Sequence, residues 1–239
     1  MSPKIVSKLL AGCALFIAAD AAMAVPGWNV TNIDNTATNP TNANFITLAR
    51  NPDGAFILRT EVSQTINYAD SAAADSGAYH DANGFPEKVF LNEIAAGGGD
   101  LNTFLQQHLG FITIPTAGVY SFHNNTDDPF YFEITTPGGP VTWTDISCCN
   151  NEQVSRQLPA GTFPIEVIMA EFGGGDHIEF AAAFGGTLAT PLAFSTTAYT
   201  LVGGPGGLQV NTAAAPEPAT LGMLALGGLA FLRRRNRVA

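Results

Sequence analysis

Between Leu109 and Phe184 the chain runs in short apolar–polar alternations cut by glycine and proline. That period of two fits strands and little else. The runs fall at 111–115, 119–123, 130–134, 141–144, 163–172 and 178–184. Tyr120 and Phe122 share one face of their run; Ile165, Val167, Met169 and Glu171 share one face of theirs. Thr116-Ala117-Gly118, Pro137-Gly138-Gly139-Pro140, Pro159-Ala160-Gly161 and Gly173-Gly174-Gly175-Asp176 supply the turns. In these, glycine gives access to positive φ and proline presets φ. Upstream, 45–48 and 56–62 read as strands around the turn Pro52-Asp53-Gly54, and 88–91 as another. Residues 100–107 fit either a helical turn capped by Asp100 or a strand. Residues 25–44 read as an irregular leader with a strand near Trp28, and 187–202 add edge strands. Helical periodicity is nearly absent. The predicted fold is therefore all-β, an antiparallel, jelly-roll-like β-sandwich over 25–202, followed by a Gly/Pro/Ala-rich linker at 203–215.

The two ends are of another kind, and a helix is predicted at each. Lys4 and Lys8 precede an apolar run of 11 residues at 9–19, and Ala22-Met23-Ala24 follows. This is the three-part layout of an export signal occupying 1–24, cut by signal peptidase after Ala24. A lipoprotein reading at Leu10-Ala11-Gly12-Cys13 competes, but only four residues separate Lys8 from Cys13. At the other end, Pro216-Glu217-Pro218 precedes 14 uncharged residues at 219–232 and then Arg233-Arg234-Arg235 and Arg237. Pro218 suits the first turn of a helix and the arginines its C-terminus. The arginines also keep that end in the cytoplasm. Residues 216–239 closely resemble the PEP-CTERM sorting signal of Gram-negative bacteria in the Pro-Glu-Pro, the apolar helix and the arginine cluster. The resemblance implies a transient transmembrane helix in the inner membrane, recognition and cleavage by an exosortase, and delivery to the cell surface or extracellular matrix. A plain tail anchor would explain the helix and arginines but not the Pro-Glu-Pro.

Charge narrows the function of what lies between. Residues 25–215 hold four basic side chains, Arg50, Arg59, Lys88 and Arg156, against 18 of the chain's 20 acids, a net of −14. Such a surface repels phosphate backbones, which argues against nucleic-acid partners. It suits divalent cations as well as plain solubility. Cys148 and Cys149 are adjacent. Their α-carbons lie ~3.8 Å apart, below the usual disulfide span of ~4.4–6.8 Å. A strained vicinal disulfide, two thiols or bonds to another chain are the alternatives, and an oxidising exterior favours the vicinal bond. Catalytic signals are missing. No serine sits in a G-x-S-x-G elbow, and His80, His108, His123 and His177 form no H-x-x-x-H pair. The chain reads as a non-enzyme.

Residues 109–184 also resemble the protective-antigen-type (PA-fourteen) β-sandwich domain. Three pieces carry the likeness in order. They are Gly110-Phe111-Ile112-Thr113-Ile114-Pro115 with Gly118-Val119-Tyr120-Ser121-Phe122, then Asp127-Asp128, then Leu158-Pro159-Ala160-Gly161-Thr162-Phe163-Pro164-Ile165-Glu166-Val167. The family is mostly a binding module, often for carbohydrates. In its lectin members paired aspartates bind calcium, which holds sugar hydroxyls. The resemblance implies calcium at Asp127 and Asp128, with an exopolysaccharide or other matrix polymer as partner. Asn125 adds a hard oxygen beside them, and Asp176 lies on a turn that could approach. A structural turn, with a carboxylate capping backbone N–H groups, is the other reading of the pair. A matrix component without a small ligand, and a polysaccharide hydrolase, are the alternatives to a glycan-binding module.

Overall fold

The computed structural model describes residues 25–35, 40–52, 56–70, 77–81, 84–95, 103–147 and 149–213, all within one compact unit, Ala24–Ala215. The strands are β1 (Trp28–Asn35), β2 (Phe56–Ser63), β3 (Asn67–Ala69), β4 (Lys88–Val89), β5 (Phe104–Ile114), β6 (Gly118–Thr126), β7 (Phe130–Thr136), β8 (Gly139–Asp145), β9 (Asn150–Leu158), β10 (Gly161–Glu171), β11 (His177–Phe184), β12 (Thr200–Leu201) and β13 (Val210–Asn211). Two short helices, α1 (Phe45–Arg50) and α2 (Leu91–Ala95), interrupt them. One sheet runs β2-β1-β5-β10-β7-β8 with β13 on β5. The other runs β4-β3-β11-β6-β9 with β12 on β11. Every pairing is antiparallel except β3 with β4.

The sheets face each other across one aromatic core. Phe122 and Phe180 of the second sheet meet Phe132 of the first at ring separations of 5.0 and 5.6 Å, and Trp28 lies edge-on to Phe180 at 6.4 Å. All four are fully buried. Removing one such ring costs about 3–5 kcal/mol in a core that cannot collapse around the loss. The alternation read from 111 to 184 is what produces this, since every second residue of β5, β6, β7 and β10 points inward.

A chain of neutral polar groups crosses the same interior. Asn32 Nδ2 donates to Asn92 Oδ1 (2.9 Å), Gln106 Nε2 donates to Asn32 Oδ1 (2.7 Å), and His108 Nε2 lies 2.9 Å from Gln106 Oε1. That Oε1 only accepts, so His108 carries its proton on Nε2. All four residues are fully buried. Burial, with the charge of Lys88 second, drives the His108 pKa down to about 3.

Several expectations are corrected. Residues 45–48 form helix α1 instead of a strand. Phe45 and Ala49, one turn apart, seat on Ile33, Leu105 and Ile168 outside the first sheet. This tertiary cover overrides the β preference of Phe, Ile and Thr. Of 88–91 only Lys88–Val89 is strand; Leu91 begins α2, whose Asn92 joins the polar chain. The leader contains the eight-residue strand β1, and 100–107 resolves as strand from Phe104 onward. The expected linker folds in as far as Val210, which is buried and continues along β5 where β1 ends. Gly110 admits it, because a Cβ there would lie 2.5 Å from Val210 Cγ1. No helix among the described residues is long and apolar enough to cross a membrane. The helices predicted over 1–24 and 216–239 lie outside the described residues.

Candidate metal centre

Strand β6 ends at Thr126, whose hydroxyl donates to Asp128 O at 2.7 Å and turns the chain at once. The turn is fastened to the end of β10. Ala170 N donates to Pro129 O (3.0 Å) and Phe172 N to Asp128 Oδ2 (2.7 Å). Asp127 N donates to His177 O (3.3 Å), and Asp127 O accepts from Cys149 N. Three connections thus meet: 127–129, 171–177 and the segment before β9.

Their meeting point is acidic. Carboxylate oxygens of Asp127, Asp128 and Glu171 lie within 4.8 Å of one another. Asp128 and Glu171 are buried, while Asp127 is half-buried. Glu171 Oε1 accepts from Gly173 N at 2.8 Å, and its Oε2 has no hydrogen-bond partner. The four basic side chains of the domain are all engaged elsewhere. Arg50 holds Glu133 (3.0 Å) and Glu166, Arg59 faces Asp34 (3.6 Å), Lys88 holds Glu61 (2.6 Å), and Arg156 donates to Thr142 O (2.8 Å). Burial first, then the charges of Asp128 and Asp127 and a proton shared with the Asp128 carboxyl, push the Glu171 carboxyl up to about 8, against the bond from Gly173 N. Burial and the Asp128 charge also raise Asp127. Without a cation, the cluster resolves its repulsion by keeping a proton.

The donor set fits a hard divalent cation. It offers only carboxylate oxygens, one of them buried and unbonded, and calcium takes six to eight such ligands, commonly with backbone and water oxygens. Asp127 and Asp128 are brought together as the sequence suggested. Asn125 points elsewhere: its Nδ2 donates to Glu179 Oε2 (2.9 Å) and its Oδ1 lies 3.2 Å from His177 Nε2. Asp176 is buried nearby, its carbonyl accepting from Asp70 N (2.7 Å). Glu171 replaces them as third carboxylate. Its signal was its parity: it shares a face with Ile165, Val167 and Met169, so it had to be a buried acid.

Cys149 is disulfide-bonded and takes a left-handed backbone (φ 63°). Cys148 lies outside the described residues, as do Pro216, Glu217, Pro218, Arg233, Arg234 and Arg235. The histidines within the sandwich are held neutral. Burial lowers His123 to about 4, against a bond to Asn151 Oδ1 at 2.8 Å, and lowers His177 as well.

Residues 214–237 match the model of the PEP-CTERM protein-sorting motif, and the C-terminus carries that motif. No curated protein matches the chain. Its structural neighbours include PA14 domains. It is similar to the PA14 domain of MpAFP antifreeze protein, at 15% identity and TM-score 0.44 over 79% of this chain and 92% of that one. It is similar to the PA14 sugar-binding domain from an RTX adhesin, at 16% identity and TM-score 0.45 over 74% and 95%. It is also similar to the Epithelial Adhesin 6 A domain from Candida glabrata, at 10% identity and TM-score 0.43 over 80% and 93%.

Proposed function

We propose that the chain is an exported, non-enzymatic surface or matrix protein whose sandwich binds a glycan through calcium held by Asp127, Asp128 and Glu171. The observation that carries this is the buried, unbonded Oε2 of Glu171 facing two aspartates with no basic side chain assigned to them. A bound calcium ion supplies a Lewis-acidic centre whose remaining positions accept neutral sugar hydroxyls in place of water. The protein's own groups do the rest. Asp128, fixed by Phe172 N, and Glu171, fixed by Gly173 N, present oxygens from two different strand ends. Half-buried Asp127 keeps the solvent side. The sorting motif supports export, passage through the inner membrane, and processing by an exosortase before release to the cell surface or matrix. An exopolysaccharide is then the polymer within reach.

A second reading rests on a specific observation. Asp128 Oδ2 caps Phe172 N while Thr126 bonds Asp128 O, so the turn is self-sufficient as structure. A glycan array probed with the exported protein, with calcium and with chelator, separates the two. Chelator-sensitive binding to a glycan class that Asp127→Ala abolishes is the expected outcome. Binding unaffected by chelator, or no heat of calcium binding by calorimetry, leaves the structural reading.

A further inference from the structure

Strand β2 forms one edge of the first sheet, and among the described residues it pairs only with β1. Edge strands offer a row of free backbone groups, which natural proteins normally blunt. This one instead exposes three aliphatic side chains: Ile57 at 45%, Leu58 at 51% and Val62 at 51%. Its register on β1 fixes which way each side chain points. Arg59 and Glu61 stand opposite Asn32 and Val30, on the core side, and Leu58, Thr60 and Val62 stand opposite Ile33, Thr31 and Asn29, on the outer side.

We propose that β2 pairs antiparallel with the same strand of a second copy, about a two-fold axis through Thr60, to form one continuous sheet across a homodimer. Charge selects the occupant and the register. A two-fold axis perpendicular to the sheet must keep inner faces with inner faces, so it passes through a residue and not between two. Centred on Arg59 it would set Arg59 against Arg59 of the partner subunit. Centred on Glu61 it would set two carboxylates together. Centred on Thr60 it sets Arg59 against Glu61 of the partner subunit, twice, and Leu58 against the partner's Val62, twice. Opposite charges and aliphatic pairs directly across a ladder stabilise it, and like charges destabilise it. The segment Leu58-Arg59-Thr60-Glu61-Val62 is thus a palindrome in chemistry, apolar–cation–threonine–anion–apolar. Arg59 Nη1 stands 3.6 Å from Asp34 without a hydrogen-bond partner, while Glu61 accepts from Lys88 (2.6 Å) and Tyr68 (2.6 Å) in its own chain, so the partner's guanidinium would join a carboxylate that is already fixed in place. Self-complementarity of this kind is what an isologous interface requires. If the reading of the acidic cluster as a glycan site also holds, the dimer carries two such sites, and a repeating polymer gains avidity from both. The dimer itself does not depend on that reading.

The test uses the full-length chain in mild detergent. Sedimentation equilibrium should show a concentration-dependent dimer, with or without calcium. Thr60→Cys should form a disulfide-linked dimer under mild oxidation, above the background of the native cysteines. Leu58→Cys alone should not, but Leu58→Cys chains mixed with Val62→Cys chains should, which keeps the register testable even if Thr60→Cys folds poorly. Leu58→Lys with Val62→Lys, both at exposed positions, should give monomer that melts at a concentration-independent temperature equal to that of the native chain diluted to monomer. A monomer at all concentrations overturns the proposal. So does a dimer that survives the double lysine variant and shows no cross-link at these positions.

Discussion

The Asn92–Asn32–Gln106–His108 chain and the Asp127–Asp128–Glu171 cluster both place polar groups inside the domain, yet they are solved in opposite ways. The first is neutral throughout, each amide donating to the next, with histidine deprotonated by burial. Such a chain polarises along its length, and although Asn92 Nδ2 and His108 Nδ1 at its two ends lack partners, it carries no charge that calls for a counter-ion. The second gathers three acids with one oxygen unbonded, and a carboxyl pushed up to about 8 in place of a counter-ion. The first sits in the interior, where strands β1 and β5 and helix α2 hold its members; the second sits where loops meet at the rim. A buried network that is neutral specifies the fold, and one left short of positive charge specifies a ligand.

The contrast is broken most severely from the neutral side. Asn32→Ala strands Gln106 Nε2 and Asn92 Oδ1 without partners, at a cost of about 3 kcal/mol for two buried groups. Thermal unfolding should register the loss equally with calcium and with chelator. A loss rescued by calcium would mean that the two networks are coupled. The acidic cluster should behave in reverse. Calcium at a hundredfold excess over its Kd adds about 2.7 kcal/mol to folding stability. Glu171→Gln should abolish that gain while leaving the chelated protein near neutral pH about as stable as the native one, since a neutral amide replaces a carboxyl that already holds its proton. A chelated Glu171→Gln protein that melts well below the native one would show that the carboxylate is a structural strut.

How much of this could be read beforehand differs between the two clusters for a physical reason. Alternation from 111 to 184 made the central strands legible, because their larger apolar side chains fall on the face that meets the main core. Asp127 and Asp128 were singled out by the resemblance to the PA-fourteen domain, whose paired aspartates fall at the same place after a strand. Asn32, Gln106 and His108 look in sequence like an exposed polar face; what buries them is pairing between strands 74 residues apart, which no local pattern records. The helix at Phe45 was missed for a related reason. Its apolar residues satisfy both periods over so short a run, and the outer face of β5 and β10 decides between them. Val210 was hidden in a glycine-rich stretch whose composition resembles a tether, although Gly203, at φ +92° with its missing Cβ 2.0 Å from Gln64 O, marks a tight crossing.

The smallest effect is also the one that sets the two clusters most directly against each other, because they respond to pH with opposite sign. His108 and His123 fold with pKa values of about 3 and about 4, below the usual 6.5, so the unfolded chain takes up protons that the native one refuses. Their contribution is complete above pH 6.5 and is lost as pH falls toward those values. Glu171 folds with a value raised from 4.5 to about 8, so the native, calcium-free protein keeps a proton the unfolded chain has released. Its contribution is complete below pH 4.5 and is lost as pH rises to about 8. From 4.5 to 6.5 the two slopes oppose each other; from 6.5 to 8 the carboxyl acts alone among these groups. Melting in chelator should therefore fall between pH 6.5 and 8 with a slope of up to about 1.4 kcal/mol per pH unit. Glu171→Gln should flatten that limb and, by removing the opposing slope, steepen the rise from pH 4.5 to 6.5, whereas His108→Gln should soften that rise and leave the limb above 6.5 in place. Calcium should flatten the alkaline limb as well, because the cation takes the place of the proton. A chelated native protein equally stable at pH 6.5 and 8 would mean that the three carboxylates share no proton, and the inference from a buried, uncompensated acid to a cation site would fall with it.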